Sequence, residues 1–385
     1  MSLLKLKRNV LLVGLSLLLS LTAVFSFYHL LPVFLMDYGF EEGNLGYLYT
    51  FFLFTYNFGQ LVGGLLLKRI SARSLYAIST LLVAILFVVL YFPLTKFLVV
   101  LVLFLIYFLW GIQLPPQGVI VHDAEKDSAR AFSQIEFFTL FGILIGPFLG
   151  YALLKYISLS AVLLVAGILE FFVTILRWTV KPEEDASFEG LRFPRPNYQI
   201  VLITIFVSLA FFVFYSTSDG PFIPAIMKSV LNLDVRGISL VFGVATLVSI
   251  ACLPLFYISS IKLGMWRVMG FSVVLHGFLV YLWSMNYPAL YLLVIAFVSI
   301  QPVYTYFMPL LMDNVAISER GGVLGIVGFV SGTIGSLSPM LLGHSKNPFF
   351  YAFLVSILAG LIVALFPLKK QGFSESGVQP LDKSS

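Results

Sequence analysis

Five ionisable side chains lie deep inside long apolar runs: His29, Glu136, Glu170, Asp219 and His276. A charge at the middle of a bilayer costs about 2.5–3.5 kcal/mol on insertion scales, so each of the five calls for a compensating role. Two stand beside helix breakers: Pro32 follows His29, and Gly220, Pro221 and Pro224 follow Asp219. A broken helix frees backbone polar groups that can coordinate a solute or an ion. Asp219 is therefore read as a protonatable or cation-binding carboxylate, and His29 as a substrate contact or proton partner. The competing reading makes Asp219 the cap of a half-helix beginning at Gly220 and His29 a structural, backbone-bonded residue.

The elements that must hold these groups are membrane spans. Hydrophobic residues make up 60% of the chain and charged residues 11%, against roughly 25% charged in a soluble domain. The sequence predicts an all-α polytopic membrane protein and excludes a soluble enzyme. Twelve apolar runs reach the ~20 residues that cross a bilayer: 9–36, 44–67, 74–94, 97–121, 131–154, 157–180, 198–227, 237–260, 266–286, 289–312, 321–343 and 348–368. The first run is too long for a signal-peptide core of about 7–15 residues and is read as an uncleaved span. Asn286-Tyr287-Pro288 is the thinnest divider between two runs. The polar segment 181–197 separates six spans (1–180) from six more (198–368), and the tail 369–385 is expected to be a polar, disordered cytoplasmic extension.

Charge placement gives orientation. Eighteen of the 23 Lys and Arg residues fall on the side of the N-terminus, and Lys96, Lys155, Lys228, Arg236 and Lys346 fall on the other. The positive-inside rule then puts both termini in the cytoplasm, in the cell membrane. The basic residues form no continuous stripe, so no nucleic-acid partner is expected. The single Cys252 excludes an internal disulfide framework. No phosphate-cradling glycine loop is present, His122 and Asp123 lack a ligand cluster, and no metal, cofactor or enzymatic activity is expected.

Gly142, Gly146 and Gly150 recur every four residues in the fifth span, with Pro147 among them. On a helix they share a face against which a neighbour can pack closely. A bent, switching helix and a plain packing seam both fit that spacing. The halves also repeat: Asp123, Arg130 and Gly142 match Asp313, Arg320 and Gly332 at an offset of 190, and Pro32 matches Pro224 at 192. Such symmetry is expected of a transporter built from two similar bundles.

With Gly142-x-x-x-Gly146-Pro147-x-x-Gly150-Tyr151 the chain resembles the major facilitator superfamily, and this run resembles the motif associated with its drug/proton antiporters. The entry Asp127-Ser128-Ala129-Arg130 is similar as well. The loop motif between spans two and three is degenerate: Gly64 is kept, but Lys68 and Ser71 replace an Asp and a Gly. In span four Tyr107 stands about where antiporters of the family carry an Arg. The resemblance implies two pseudo-symmetric six-helix bundles with spans 1, 4, 7 and 10 lining a central path. It places His29, Asp219, Tyr28, Gln113, Gln301 and Tyr304 as substrate-binding candidates, with Asn57, Gln60 and Tyr306 as further polar residues. Gln113 and Gln301 can equally form interhelical hydrogen bonds worth about 0.6 kcal/mol. Glu136 with Arg69, Arg73 or Arg130 is expected either to replace the missing acid of the inner gate or to form a static helix-end pair, while Glu170 and His276 fall in peripheral packing. The implied function is secondary transport of a small organic solute by a monomer among membrane lipids, with efflux in exchange for protons as the first expectation. Uptake of a sugar, organic acid or other nutrient is the alternative. A non-transporting receptor, scramblase or assembly factor is the alternative of another class.

Overall fold

The computed structural model describes residues 7–67, 69–124, 128–181, 198–312, 314, 320–343, 345 and 347–368. The segment from Pro182 to Asn197, the tail from Lys369, Lys68 and the side chains of Arg130 and Arg320 lie outside that description.

Among the described residues every regular element is a helix. In hydrocarbon, backbone polar groups have no water to bond, so an apolar run must satisfy them within itself. Eleven of the described helices are long and apolar enough to cross a membrane. Span 2, Glu42–Leu66, completes the twelve with 25 residues, about 37 Å at 1.5 Å per residue. Its Tyr, Asn, Gln and Gly residues lower its hydropathy, and it packs between span 4 and span 11 rather than facing lipid all round.

Spans 3 (Ala72–Tyr91), 4 (Lys96–Ala124), 5 (Ser128–Leu153), 6 (Leu159–Trp178), 8 (Val235–Leu263), 9 (Met265–Met285) and 12 (Pro348–Leu365) are single helices. Span 2 is likewise a single helix, and spans 1, 7, 10 and 11 are broken. Span 1 runs Arg8–Phe25, turns through Tyr28–Leu30 and resumes at Leu31–Asp37. Span 7 runs Tyr198–Ser216 and resumes at Phe222–Ser229. Span 10 divides into Leu290–Ser299 and Gln301–Met312, and span 11 into Arg320–Ser336 and Ser338–Gly343. The breaks in spans 1 and 7 fall where Pro32 and Gly220-Pro221 forecast them. The divider at Asn286 is a true helix end. Polar caps start several helices: the Asp234 carboxylate accepts from Gly237 N at 2.7 Å and the Asn347 side chain from Phe350 N at 3.0 Å.

We call the end where span 1 begins proximal and the end reached at Asp37 distal. Within the first half, spans 1 and 5, 2 and 4, and 3 and 6 pack together; within the second, spans 7 and 11, 9 and 12, and 8 and 10 do so. Each half has its own apolar core, built around Phe52, Phe87 and Ile106 in the first and Phe206, Phe214 and Met269 in the second. The halves meet where span 5 crosses span 8 and span 2 crosses span 11. A third core, at the distal end, spans both halves: Leu30 and Val33 pack with Phe222, Ile223 and Trp283.

The span 5 glycines form the contact with span 1. A Cβ at Gly142 would stand 2.8 Å from the Leu18 carbonyl oxygen, one at Gly146 would stand 2.6 Å from Phe25 Cβ, and one at Gly150 would collide with the Ser26 carbonyl. The helix continues through Pro147, whose carbonyl accepts from Ser239 Oγ of span 8 at 2.9 Å.

Candidate functional site

The break in span 7 is a run of tight turns. Asp219 N donates to Phe214 O at 2.9 Å and Gly220 N to Thr217 O at 3.2 Å. His276 of span 9 braces this break from behind: Nε2 meets Thr217 Oγ1 at 2.8 Å and Nδ1 donates to the Ala296 carbonyl at 2.9 Å. The braced turn leaves the Asp219 side chain facing span 10, where the Tyr304 hydroxyl donates to Oδ2. No backbone N–H among the described residues donates to the Asp219 carboxylate, and the half-helix Phe222–Ser229 has no side-chain cap. The capping reading is therefore not what the structure contains.

Around Asp219 stand phenols from both halves. Tyr28 of span 1, Tyr215 of span 7 and Tyr304 of span 10 lie within electrostatic reach of the carboxylate and of one another. Tyr107 of span 4 and Tyr49 of span 2 extend the group behind Tyr28. Phe211 stacks with Tyr215 at 5.6 Å and with Tyr304 at 6.1 Å, and Trp110 lies 6.5 Å from Tyr28. Tyr304 keeps 40% of its surface accessible and lies within electrostatic reach of Tyr28 in the opposite half.

The remaining candidates lie elsewhere. His29 is 5% exposed, stacks on Phe242 at 4.8 Å and contacts Ser239 Oγ through Nε2 at 3.0 Å, so it lies at the crossing of spans 1 and 8 rather than beside Asp219. Gln113 points into the first half, where its Oε1 accepts from Arg177 at 2.7 Å. Arg177, counted above among the basic residues flanking the membrane, is in fact buried: its guanidinium also donates to Thr80 and lies 3.8 Å from the centroid of the Tyr76 ring. Nearby Glu170 is equally buried and accepts from Ser20 Oγ at 2.6 Å. Gln301 opens the second helix of span 10, half-buried. Glu136 and Arg69 are exposed and neither has an ion-pair partner among the described residues. Arg73 lies 6.0 Å from the centroid of the Trp178 ring.

Among the described residues, an ion pair joins the two halves at the distal end. Lys228, ending span 7, binds Asp37, ending span 1. Beside it Arg236 lies 5.0 Å from the centroid of the Tyr151 ring, and Met340 N donates to Thr50 Oγ1 at 3.1 Å. Sequence reading passed over Asp37 and Lys228 as loop charges. The signal was available, since they are 191 residues apart, between the offsets of 190 and 192 found in the internal repeat.

The Major Facilitator Superfamily family model matches residues 13–339. No curated protein sequence matches the chain. Among solved structures, the nucleoside transporter NupG is 14% identical with a TM-score of 0.71, covering 94% of this chain and 100% of that one. The POT family transporter PepTSo is 14% identical with a TM-score of 0.74, covering 94% and 98%. A bacterial homolog of the human lysosomal transporter Spinster, in an inward-facing and unoccupied conformation, is 13% identical with a TM-score of 0.65, covering 94% and 95%. At such identities the likeness is one of fold, and it agrees with the family match. With the family model matched over residues 13–339 and twelve spans among the described residues, the chain belongs to the Major Facilitator Superfamily.

Proposed function

We propose that the chain is a secondary transporter that moves a small organic solute by alternating access, with Asp219 and Tyr304 at the solute site. The observation that carries this reading is the Asp219–Tyr304 pair: a carboxylate at the break of span 7 with phenols from both halves around it. Residues 1–180 and 198–368 act as the two moving units, joined by 181–197. In this reading the distal core and the Asp37–Lys228 pair close one side, and the solute enters the site from the proximal side. Two packings of nearly equal free energy then exchange, and a solute that binds one better shifts the balance.

Export in exchange for protons is the first reading of direction and coupling, supported by the glycine-proline motif of span 5. Asp219 is then the shared group, holding a proton in one leg of the cycle and the solute in the other. Nutrient uptake is the second reading, favoured by Tyr107, which stands in span 4 where antiporters of the resemblance carry an Arg. The proximal side is cytoplasmic in both readings, by the excess of Lys and Arg there, and the chain lies in the cell membrane. A solute screen in proteoliposomes under an imposed pH gradient, comparing wild type with Asp219→Asn, tests the proposal. Flux opposite to the direction of proton flow that fails in the variant supports exchange for protons. Flux in the direction of proton flow, or independent of the gradient, supports the second reading, uptake by symport or uniport. Absence of flux across a broad panel contradicts transport.

A further inference from the structure

We infer that the solute taken at Asp219 is an organic cation: an amine carrying an apolar body. The inference rests on the reading of Asp219 as the solute site and adds the chemical class. The carboxylate has no protein counter-ion among the described residues. Arg177 is turned into the first half toward Gln113 and Thr80. Lys228 is held by Asp37, and Arg236 lies against Tyr151. His276 spends both ring nitrogens on Thr217 and Ala296 behind the break.

What does face the carboxylate is phenol. Tyr304 donates to Oδ2, and Oδ1 accepts no hydrogen bond among the described residues, which leaves it for a solute N–H. The hydroxyl oxygens of Tyr28, Tyr215 and Tyr304 carry further lone pairs. The aromatic faces alongside, stacked through Phe211, attract positive charge and offer apolar contact. An anionic solute would meet a carboxylate with nothing to offset it. A metal ion is disfavoured as well: hard cations take several oxygen ligands, commonly more than one carboxylate, and no group of three or more His, Cys, Asp or Glu is found among the described residues. One acid among aromatic rings fits one positive charge.

The test is binding to the full-length protein in nanodiscs, read by tryptophan fluorescence and calorimetry. The probes are 2-phenylethylamine, tyramine and benzylamine, each against its alcohol and its carboxylate analogue of similar size. The amines are expected to bind at least tenfold tighter than either analogue, to lose at least tenfold in Asp219→Asn, and to recover most of it in Asp219→Glu. Alcohols or carboxylates binding as well as the amines would overturn the inference. So would failure of all three amines to bind, or amine affinity within twofold of wild type in a folded Asp219→Asn. Vesicle flux separates this inference from the transport reading. Amines that bind through Asp219 without crossing leave the cation class standing and remove transport. Neutral or anionic solutes that cross independently of Asp219 do the reverse.

Discussion

Asp37 and Lys228 join repeat-equivalent ends of spans 1 and 7, 191 residues apart, and so tie the two halves at the distal end. Their side chains are 56% and 32% exposed respectively. A pair so open to water contributes little, about 0.2–1 kcal/mol. The apolar core of Leu30, Val33, Phe222 and Ile223 beneath it supplies most of the closure. The pair biases the balance of states and does not lock it.

Reversing one charge should therefore open the distal side modestly. In Lys228→Asp, labelling of a cysteine placed at Val33 by an impermeant thiol reagent should rise severalfold, in a Cys252→Ser background. The double exchange Asp37→Lys with Lys228→Asp should restore the wild-type level. Equal labelling in all three would remove the pair from any role in closure.

The span 5 seam should tolerate no side chain. Gly150→Val drives a branched group into the Ser26 carbonyl and should cost about 1–3 kcal/mol, the usual range for overpacking. Gly64→Ala is the control, because a Cβ there meets nothing within 4 Å. Thermal unfolding in detergent should show a lowered midpoint for the first variant and little change for the second. Equal stability would mean that spans 1 and 5 are not in close contact.

Arg177 should matter to folding more than any exposed cation. Removing one member of a buried charged group costs about 3–5 kcal/mol, since the partners keep their desolvation penalty. Arg177→Met should thus unfold the first half readily, as Gln113, Thr80 and the Glu170 carboxylate lose the charge they face. Arg69→Met, at an exposed position, should leave the unfolding midpoint within about a degree. Similar midpoints for the two variants would contradict the buried cluster.

Much of the fold was legible because membrane helices declare themselves by length and apolarity. Pro32 and Gly220-Pro221 announced the breaks in spans 1 and 7, and the Gly142–Gly150 spacing announced the seam. Asp219 and Tyr304 could be singled out, since a carboxylate in hydrocarbon needs a reason. Their contact could not, because it depends on which face of span 10 turns toward span 7. Rotation about a helix axis is weakly coded when both lipid and protein neighbours are apolar. The same ambiguity hid His29 at the crossing with span 8 and Arg177 inside the first half. Pairings between positions one repeat apart, such as Asp37 with Lys228, are where sequence symmetry could have been used further.

The most direct measurement is two-sided labelling of Tyr304→Cys in sealed vesicles, in the Cys252→Ser background. An impermeant thiol reagent should reach position 304 from the proximal side with the distal contacts intact, and from the distal side when Lys228→Asp or a transported solute shifts the balance. Labelling that never occurs from either side, or from both at once in a single closed population, would contradict a solute site at Asp219 and Tyr304 that opens to each face in turn.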